Sequence, residues 1–364
     1  MKGKRNMKKV LSVFLSVLML ALCILPCASA ISIEEGSPML DMQFKDGKCT
    51  NGIDYVYFSP VKKSDTVKYP LFIWLHGADD GLQRRAQLKD CELSNWASDE
   101  YQAKFTDAGG CFIFAPRDSI SASKSWESSQ VFFLKDAIDE FVKTYAVNID
   151  TDRIYIAGHS SGAVMVWDMI SAFQNYFAAA IPVCAVSQPI VTKLSRLKNT
   201  SIWIFCCDKD PYPLAKTVAA TSTFMALGDI TKRPAGVRMT SLSQAVFADY
   251  SKKTEWSGTE AKLSNDAEHY IWEAVTHDMH MNDGSVYAYS KTVDGKGKTI
   301  DFSDGSGVIS WLSAQKKAAD VIEESDEPGS TGSLDFWGAV NSLVHVLLEK
   351  IADILEMVFG IKIR

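Results

Sequence analysis

Apolar residues fall along this chain in short runs, most of which stop at glycine, proline or a polar cluster. Residues 53–58 (IDYVYF) alternate and are rich in aromatic and β-branched side chains, which predicts a strand. Residues 71–75 (LFIWL) and 111–115 (CFIFA) are unbroken runs ending at His76-Gly77 and at Pro116. Such runs predict strands buried on both faces. Over residues 130–145, Val131, Leu134, Ile138, Phe141, Val142 and Tyr145 recur at helical spacing. Residues 154–157 (IYIA) predict a further strand and 163–173 a helix, with strands again at 178–183 and 202–206 (IWIFC). Strands alternating with helices predict an α/β protein, a mainly parallel sheet with helices on both faces. The chemistry of such sheets sits in loops beyond the carboxyl ends of the strands.

The two ends of the chain differ from this middle. Lys2, Lys4, Arg5, Lys8 and Lys9 precede an apolar run from Val10 to Pro26, and Ala28-Ser29-Ala30 closes it. That order predicts a signal peptide over residues 1–30 and a secreted, extracellular protein, with cell-surface association as a variant. Cleavage there moves the formal charge from −6 to −11, because five basic residues and no acidic one are removed. An acidic chain offers no electrostatic footprint for nucleic acid. Residues 31–315 are long enough for one large domain. Residues 316–333 predict a linker, with EESDEPGSTGS at 323–333. Residues 334–364 predict an amphipathic helix, with Leu343, Leu347, Ile351, Ile354, Leu355 and Val358 on its apolar face. Its predicted partner is its own domain, another copy, or a membrane or envelope surface, and periodicity does not choose among them. Six cysteines remain after residue 30, and one or two disulfides at most are expected. The absence of a CxxC pair argues against structural zinc.

Gly158-His159-Ser160-Ser161-Gly162 matches G-x-S-x-G between a predicted strand and a predicted helix. That context marks a nucleophile elbow, a turn that holds a serine hydroxyl where a base can reach it. The helix start supplies N–H groups and a positive dipole end, so the Ser161 N–H is a candidate oxyanion donor. His76-Gly77-Ala78 follows the run 71–75, and the N–H of Gly77 or Ala78 is the candidate for a second donor. A serine nucleophile needs a histidine base oriented by a carboxylate, in the chain order Ser, Asp, His. Asp210 follows the run 202–206 and is the candidate acid, with Asp208 the alternative. His269 is the candidate base and His277 its alternative, while His280 and His345 are less well placed.

Residues 69–272 resemble secreted α/β-hydrolases of the feruloyl-esterase, polyhydroxybutyrate-depolymerase and prolyl-oligopeptidase-like "predicted peptidase" group. The resemblance rests on Leu75-His76-Gly77, Ala115-Pro116 with Trp126, and the stretch Asp150-Thr151-Asp152-Arg153-Ile154-Tyr155 leading into Gly158–Gly162. Trp203-Ile204-Phe205 ahead of Asp210, and His269-Tyr270-Ile271-Trp272, complete it, and the last pattern favours His269 over His277. Cys206-Cys207, a shorter loop at Asp210-Pro211-Tyr212-Pro213 and Asp79 depart from the group's pattern. The resemblance implies an α/β-hydrolase fold and a Ser160–Asp210–His269 triad that hydrolyses a small or polymer-linked carboxylic ester through an acyl-enzyme. Such chemistry needs no metal or organic cofactor. A serine peptidase and a catalytically silent binding module are the alternatives.

Overall fold

A computed structural model of the chain describes residues 38–60, 66–78, 93–118, 125–189, 191–212, 217–230, 236–243, 269, 271–279, 290–302 and 306–317. The predicted signal peptide, the linker beyond residue 317, the C-terminal helix, Asp79, Cys91 and His280 lie outside the described residues.

Nine strands form one sheet: β1 (Lys45–Lys48), β2 (Asp54–Phe58), β3 (Tyr69–Leu75), β4 (Phe112–Arg117), β5 (Ile149–His159), β6 (Ala179–Val183), β7 (Ser201–Cys207), β8 (Val237–Leu242) and β9 (Ser290–Asp294). Their order is β1-β2-β4-β3-β5-β6-β7-β8-β9. The six strands from β4 to β8 pair in parallel, while β1, β2 and β9 close the edges in antiparallel fashion. The mainly parallel sheet read from the sequence is therefore the observed one.

The unbroken apolar runs have a simple cause. Successive side chains of a strand point to opposite faces, and both faces here are covered. Leu71, Ile73, Leu75, Ile154, Ile156, Ile202 and Ile204 enter one core cluster. Helices α1 (Val131–Thr144), α2 (Ser161–Ala172) and α3 (Thr217–Ile230) supply Leu134, Ile138, Phe141, Val166, Ile170 and Phe224 to that same cluster. Phe72, Trp74, Tyr155, Ala157, Trp203 and Phe205 enter the other. Trp96, Tyr101, Ile271, Trp272 and the helix α4 (Val308–Ser313) cover that side. On it Trp96 stacks on Phe72 at 4.0 Å between ring centroids.

Strand β3 is the third strand of the chain but lies between β4 and β5. The chain thus winds outward in both directions from the β3/β5 neighbourhood, where open α/β sheets leave a crevice beyond the strand ends. The loops after β3, β5, β6 and β7 all open at that end.

Candidate active site

Strand β5 runs straight into α2, and Ser160 is the single residue between them. Its backbone sits at φ 54° and ψ −116°, in the positive-φ region that L residues avoid. Such strain costs on the order of 1–3 kcal/mol and persists only where the surroundings enforce it. The Ser160 N–H donates to the carbonyl of Val183, the last residue of β6, which fixes the turn from one side.

The flanking glycines are required by contact. A Cβ on Gly158 would stand 2.7 Å from the Gly162 backbone. A Cβ on Gly162 would meet the carbonyl oxygens of Leu75 and His76. Helix α2 therefore begins flush against the end of β3, and the His76-Gly77-Ala78 loop lies beside the Ser160 turn. Backbone cannot step aside as a side chain can, so Gly162→Ala should be poorly tolerated. The expected loss is about 1–3 kcal/mol of stability, together with most turnover, read by urea unfolding and ester hydrolysis on the same preparation.

The structure brings Ser160, His269 and Asp210 into one hydrogen-bonded line. Ser160 Oγ lies 2.9 Å from His269 Nε2, and His269 Nδ1 lies 2.9 Å from Asp210 Oδ2. A carboxylate can only accept, so Nδ1–H donates to Asp210 and Nε2 is left to accept from the serine hydroxyl. Asp210 is fully buried at its side chain, and its Oδ1 accepts from the Tyr212 N–H at 2.9 Å. Asp208 is exposed and accepts from the Ser241 hydroxyl. His277 packs against Asn95, whose amide nitrogen is 3.4 Å from its Nε2. Both alternatives thus stand in other surroundings, while Asp210 and His269 stand with Ser160.

His269 is held on several sides. The Tyr212 ring covers it at 4.3 Å and the His159 ring at 4.7 Å between centroids. His159 Nε2–H donates to the His269 carbonyl at 2.8 Å, while its ring meets Trp272 edge-on. Beyond Trp272 the chain is pinned by Trp96 Nε1–H donating to the Val275 carbonyl. Asp278 extends the anchorage, accepting from Lys104 Nζ at 2.9 Å and from the Ile309 N–H.

The loop after β3 has its own brace. His76 Nδ1–H donates to the Gly77 carbonyl at 2.6 Å, and its Nε2 accepts from the Asp118 N–H at 2.9 Å. Gln130 at the start of α1 donates to the Asp118 carboxylate. Gly77 is buried and Ala78 exposed. Complete burial pushes His76 down to about 4 from its ordinary value, against smaller opposing effects of the Gly77 carbonyl and Asp118. Burial, and then the neighbouring His269, push His159 well below its ordinary value. Both rings are therefore neutral donors in the folded protein near pH 7.

Stability follows from these directions. The unfolded chain takes up a proton at each of these histidines near pH 6.5, whereas folded His76 does so only near 4. Stability is complete above that window and falls as pH drops from about 6.5 towards 4, by on the order of 3 kcal/mol for His76. His159 acts in the same direction. Urea midpoints measured between pH 7 and 4.5 should decline, and His76→Gln should decline less steeply than wild type.

Four neighbours of the line went unassigned in the sequence: His159, Cys184, Tyr212 and the His76–Asp118–Gln130 brace. Cys184 directly follows β6 at φ 46°, is buried, and brings its sulfur close to the Asp210 carboxylate. Its sulfur, an Asp210 oxygen and a His269 ring nitrogen all lie within 4.8 Å of one another. The only signal for His159, Cys184, Tyr212, His76 and Asp118 was position at or just after the carboxyl end of a core strand, while Gln130 opens α1.

No protein-family model matches the chain, and none of the curated proteins does. Solved structures do. The chain is similar to a thermostable esterase at 25% identity and TM-score 0.51, over 69% of this chain and 64% of that one. It also matches an acylaminoacyl peptidase of Pyrococcus horikoshii at 16% identity and TM-score 0.38, over 52% of this chain and 36% of that one. A ferulic acid esterase matches at 16% identity and TM-score 0.41, over 51% of this chain and 85% of that one. The chain thus spans just under two thirds of the esterase and about a third of the peptidase.

Proposed function

We propose that this chain, an α/β-hydrolase by its fold, is a serine hydrolase that cleaves carboxylic esters through an acyl-enzyme. The observation that carries the reading is the unbroken line from Ser160 Oγ through the His269 ring to the Asp210 carboxylate, 2.9 Å at each step.

Each group has one task. Ser160 Oγ attacks the ester carbonyl carbon while its proton passes to His269 Nε2. Asp210, already paired with Nδ1–H, stabilises the imidazolium that forms. The carbonyl oxygen becomes an oxyanion and takes hydrogen bonds from the N–H of Ser161, at the start of α2, and from Gly77 or Ala78. His269 then gives its proton to the leaving alkoxide, which departs as the alcohol and leaves the acyl group on Ser160. Water, deprotonated by the same nitrogen, attacks this ester and the carboxylic acid leaves. Proton count closes over the cycle, and no metal or organic cofactor enters it.

The preference for esters over peptides draws on the thermostable esterase, matched at 25% identity and TM-score 0.51. A small or polymer-linked ester is the proposed substrate, and the N-terminal pattern of residues 1–30 supports action outside the cell.

A fluorophosphonate probe tests the nucleophile directly. Wild type should be labelled on Ser160 and should hydrolyse p-nitrophenyl acetate, and Ser160→Ala should do neither. A folded wild type that neither labels nor turns over esters would replace this reading with the binding-module one. Turnover of peptide amides with esters ignored would replace it with the peptidase one.

A further inference from the structure

The thiol of Cys184 has no part in the reaction proposed above, yet it reaches the same carboxylate. Strand β6 ends at Val183, and the positive φ of Cys184 turns the chain there. The Cys184 N–H donates to the Phe205 carbonyl on β7 at 2.9 Å, which fixes the residue beside the strand that leads to Asp210. Sulfur, carboxylate oxygen and imidazole nitrogen then meet within 4.8 Å, all three residues buried. Among the described residues this is the one such cluster of possible metal ligands.

We propose that Cys184, Asp210 and His269 form an inhibitory binding site for a thiophilic divalent cation of the zinc or cadmium type. These three residue types are the donors such ions take, with bonds of about 2.0–2.3 Å for zinc. Bonds of that length set tetrahedral ligands roughly 3.3–3.7 Å apart. The present separations, 2.9 Å for nitrogen to oxygen and none above 4.8 Å, are within small side-chain shifts of that. The Tyr212 ring, 41% exposed, packs on the His269 member of the cluster at 4.3 Å between centroids.

The protons balance as follows. On binding, the Cys184 S–H proton leaves to solvent and sulfur ligates as thiolate. The nitrogen of His269 facing Asp210 gives its proton up to become a ligand, and the ring takes one back at Nε2 and stays neutral. One proton is released per ion, and a site of charge −1 becomes neutral. An uncompensated buried carboxylate is thereby replaced by a charge-balanced centre, which favours capture. Nε2 now carries hydrogen towards Ser160 Oγ and cannot accept the serine proton. Loss of activity rests on the hydrolase reading; binding of the ion does not.

Cadmium chloride added to the full chain, in buffer free of thiols and chelators, separates the two. Wild type should show an ultraviolet thiolate-to-cadmium charge-transfer band and release about one proton per ion. Ester turnover should vanish over the same titration and return with EDTA. Cys184→Ser should lack the band. It should keep its own metal-free rate to cadmium concentrations roughly 100-fold higher, since even an outer contact of a metal ligand is worth 10–100-fold in affinity. Should the serine variant not fold, Cys184→Ala carries the same comparison. Equal bands and equal inhibition in wild type and variant, or no band in folded wild type, would overturn the site. A band in a wild type that never hydrolyses esters would overturn the ester-hydrolase reading and leave the ion site standing.

Discussion

Ser160→Ala is expected to lower kcat by on the order of a millionfold while leaving KM and the thermal melt close to wild type. Removing the nucleophile of a serine hydrolase leaves only oxyanion stabilisation and substrate binding, worth about 10³–10⁴ over water. The fold should tolerate the change. The strain at φ 54° is a backbone property that alanine shares, and the turn is fixed by the Ser160 N–H, the neighbouring glycines and the β6 carbonyl. The hydroxyl has His269 Nε2 beside it, and losing it leaves a ring that can still hold Asp210. Steady-state hydrolysis of p-nitrophenyl acetate on freshly purified variant decides it. A residual rate within tenfold of wild type would mean that the ester is being cleaved elsewhere, and Ser160 would lose its role.

The second large effect is a change of one atom. Asp210→Asn should reduce kcat about 10⁴-fold with little change in fold, the size seen when a triad carboxylate becomes an amide. The physical reason is the number of donors converging on this side chain. His269 Nδ1–H and the Tyr212 N–H both point at one acceptor-only group, with the Cys184 sulfur close by. An amide has an NH₂ that must face one of them. If it faces His269, Nδ1 has to accept, the ring proton moves to Nε2, and the serine proton has nowhere to go. Asp208→Asn serves as the control, because that carboxylate is exposed and bonded to Ser241. A similar collapse in both variants would show that charge near the site, and not the Asp210–His269 pairing, is what matters.

The central strands were legible because burial on both faces forces continuous apolar runs. LFIWL and IWIFC lie inside β3 and β7. The edges were not legible for the converse reason. Strand β1 is Lys-Asp-Gly-Lys, mostly exposed, and it pairs only with β2; β9 is Ser-Lys-Thr-Val-Asp at the opposite edge. Strand β5 begins at Ile149, five residues before the predicted start, since the polar stretch Asp150-Thr151-Asp152, with Thr151 and Asp152 exposed, hides it. The site divides along similar lines. The Ser160 turn is local, so five consecutive residues declare it. Asp210 could be placed from the end of a core strand, and His269 from its order in the chain and the resemblance of the residues after it. The grip of His159 on the His269 carbonyl spans 110 residues. The approach of Cys184 to Asp210 crosses from one strand end to the next. Neither pairing leaves a periodic trace in the sequence, because it is made by strands arriving side by side.

The described cysteines have one more consequence. Cys49, Cys111, Cys184, Cys206 and Cys207 are all buried, and none of these five is in a disulfide. Those cysteines form no cross-link, and the two layers around the sheet close on apolar packing. Burial raises Cys49 to about 12 and holds Cys111 and Cys184 well above the ordinary thiol range, so those sulfurs are both shielded and protonated. A thiol of that kind reacts only when its surroundings part. The protein thus carries its own set of opening sensors: the rate at which a colorimetric disulfide reagent consumes each cysteine would read, strand by strand, how often that part of the core breathes.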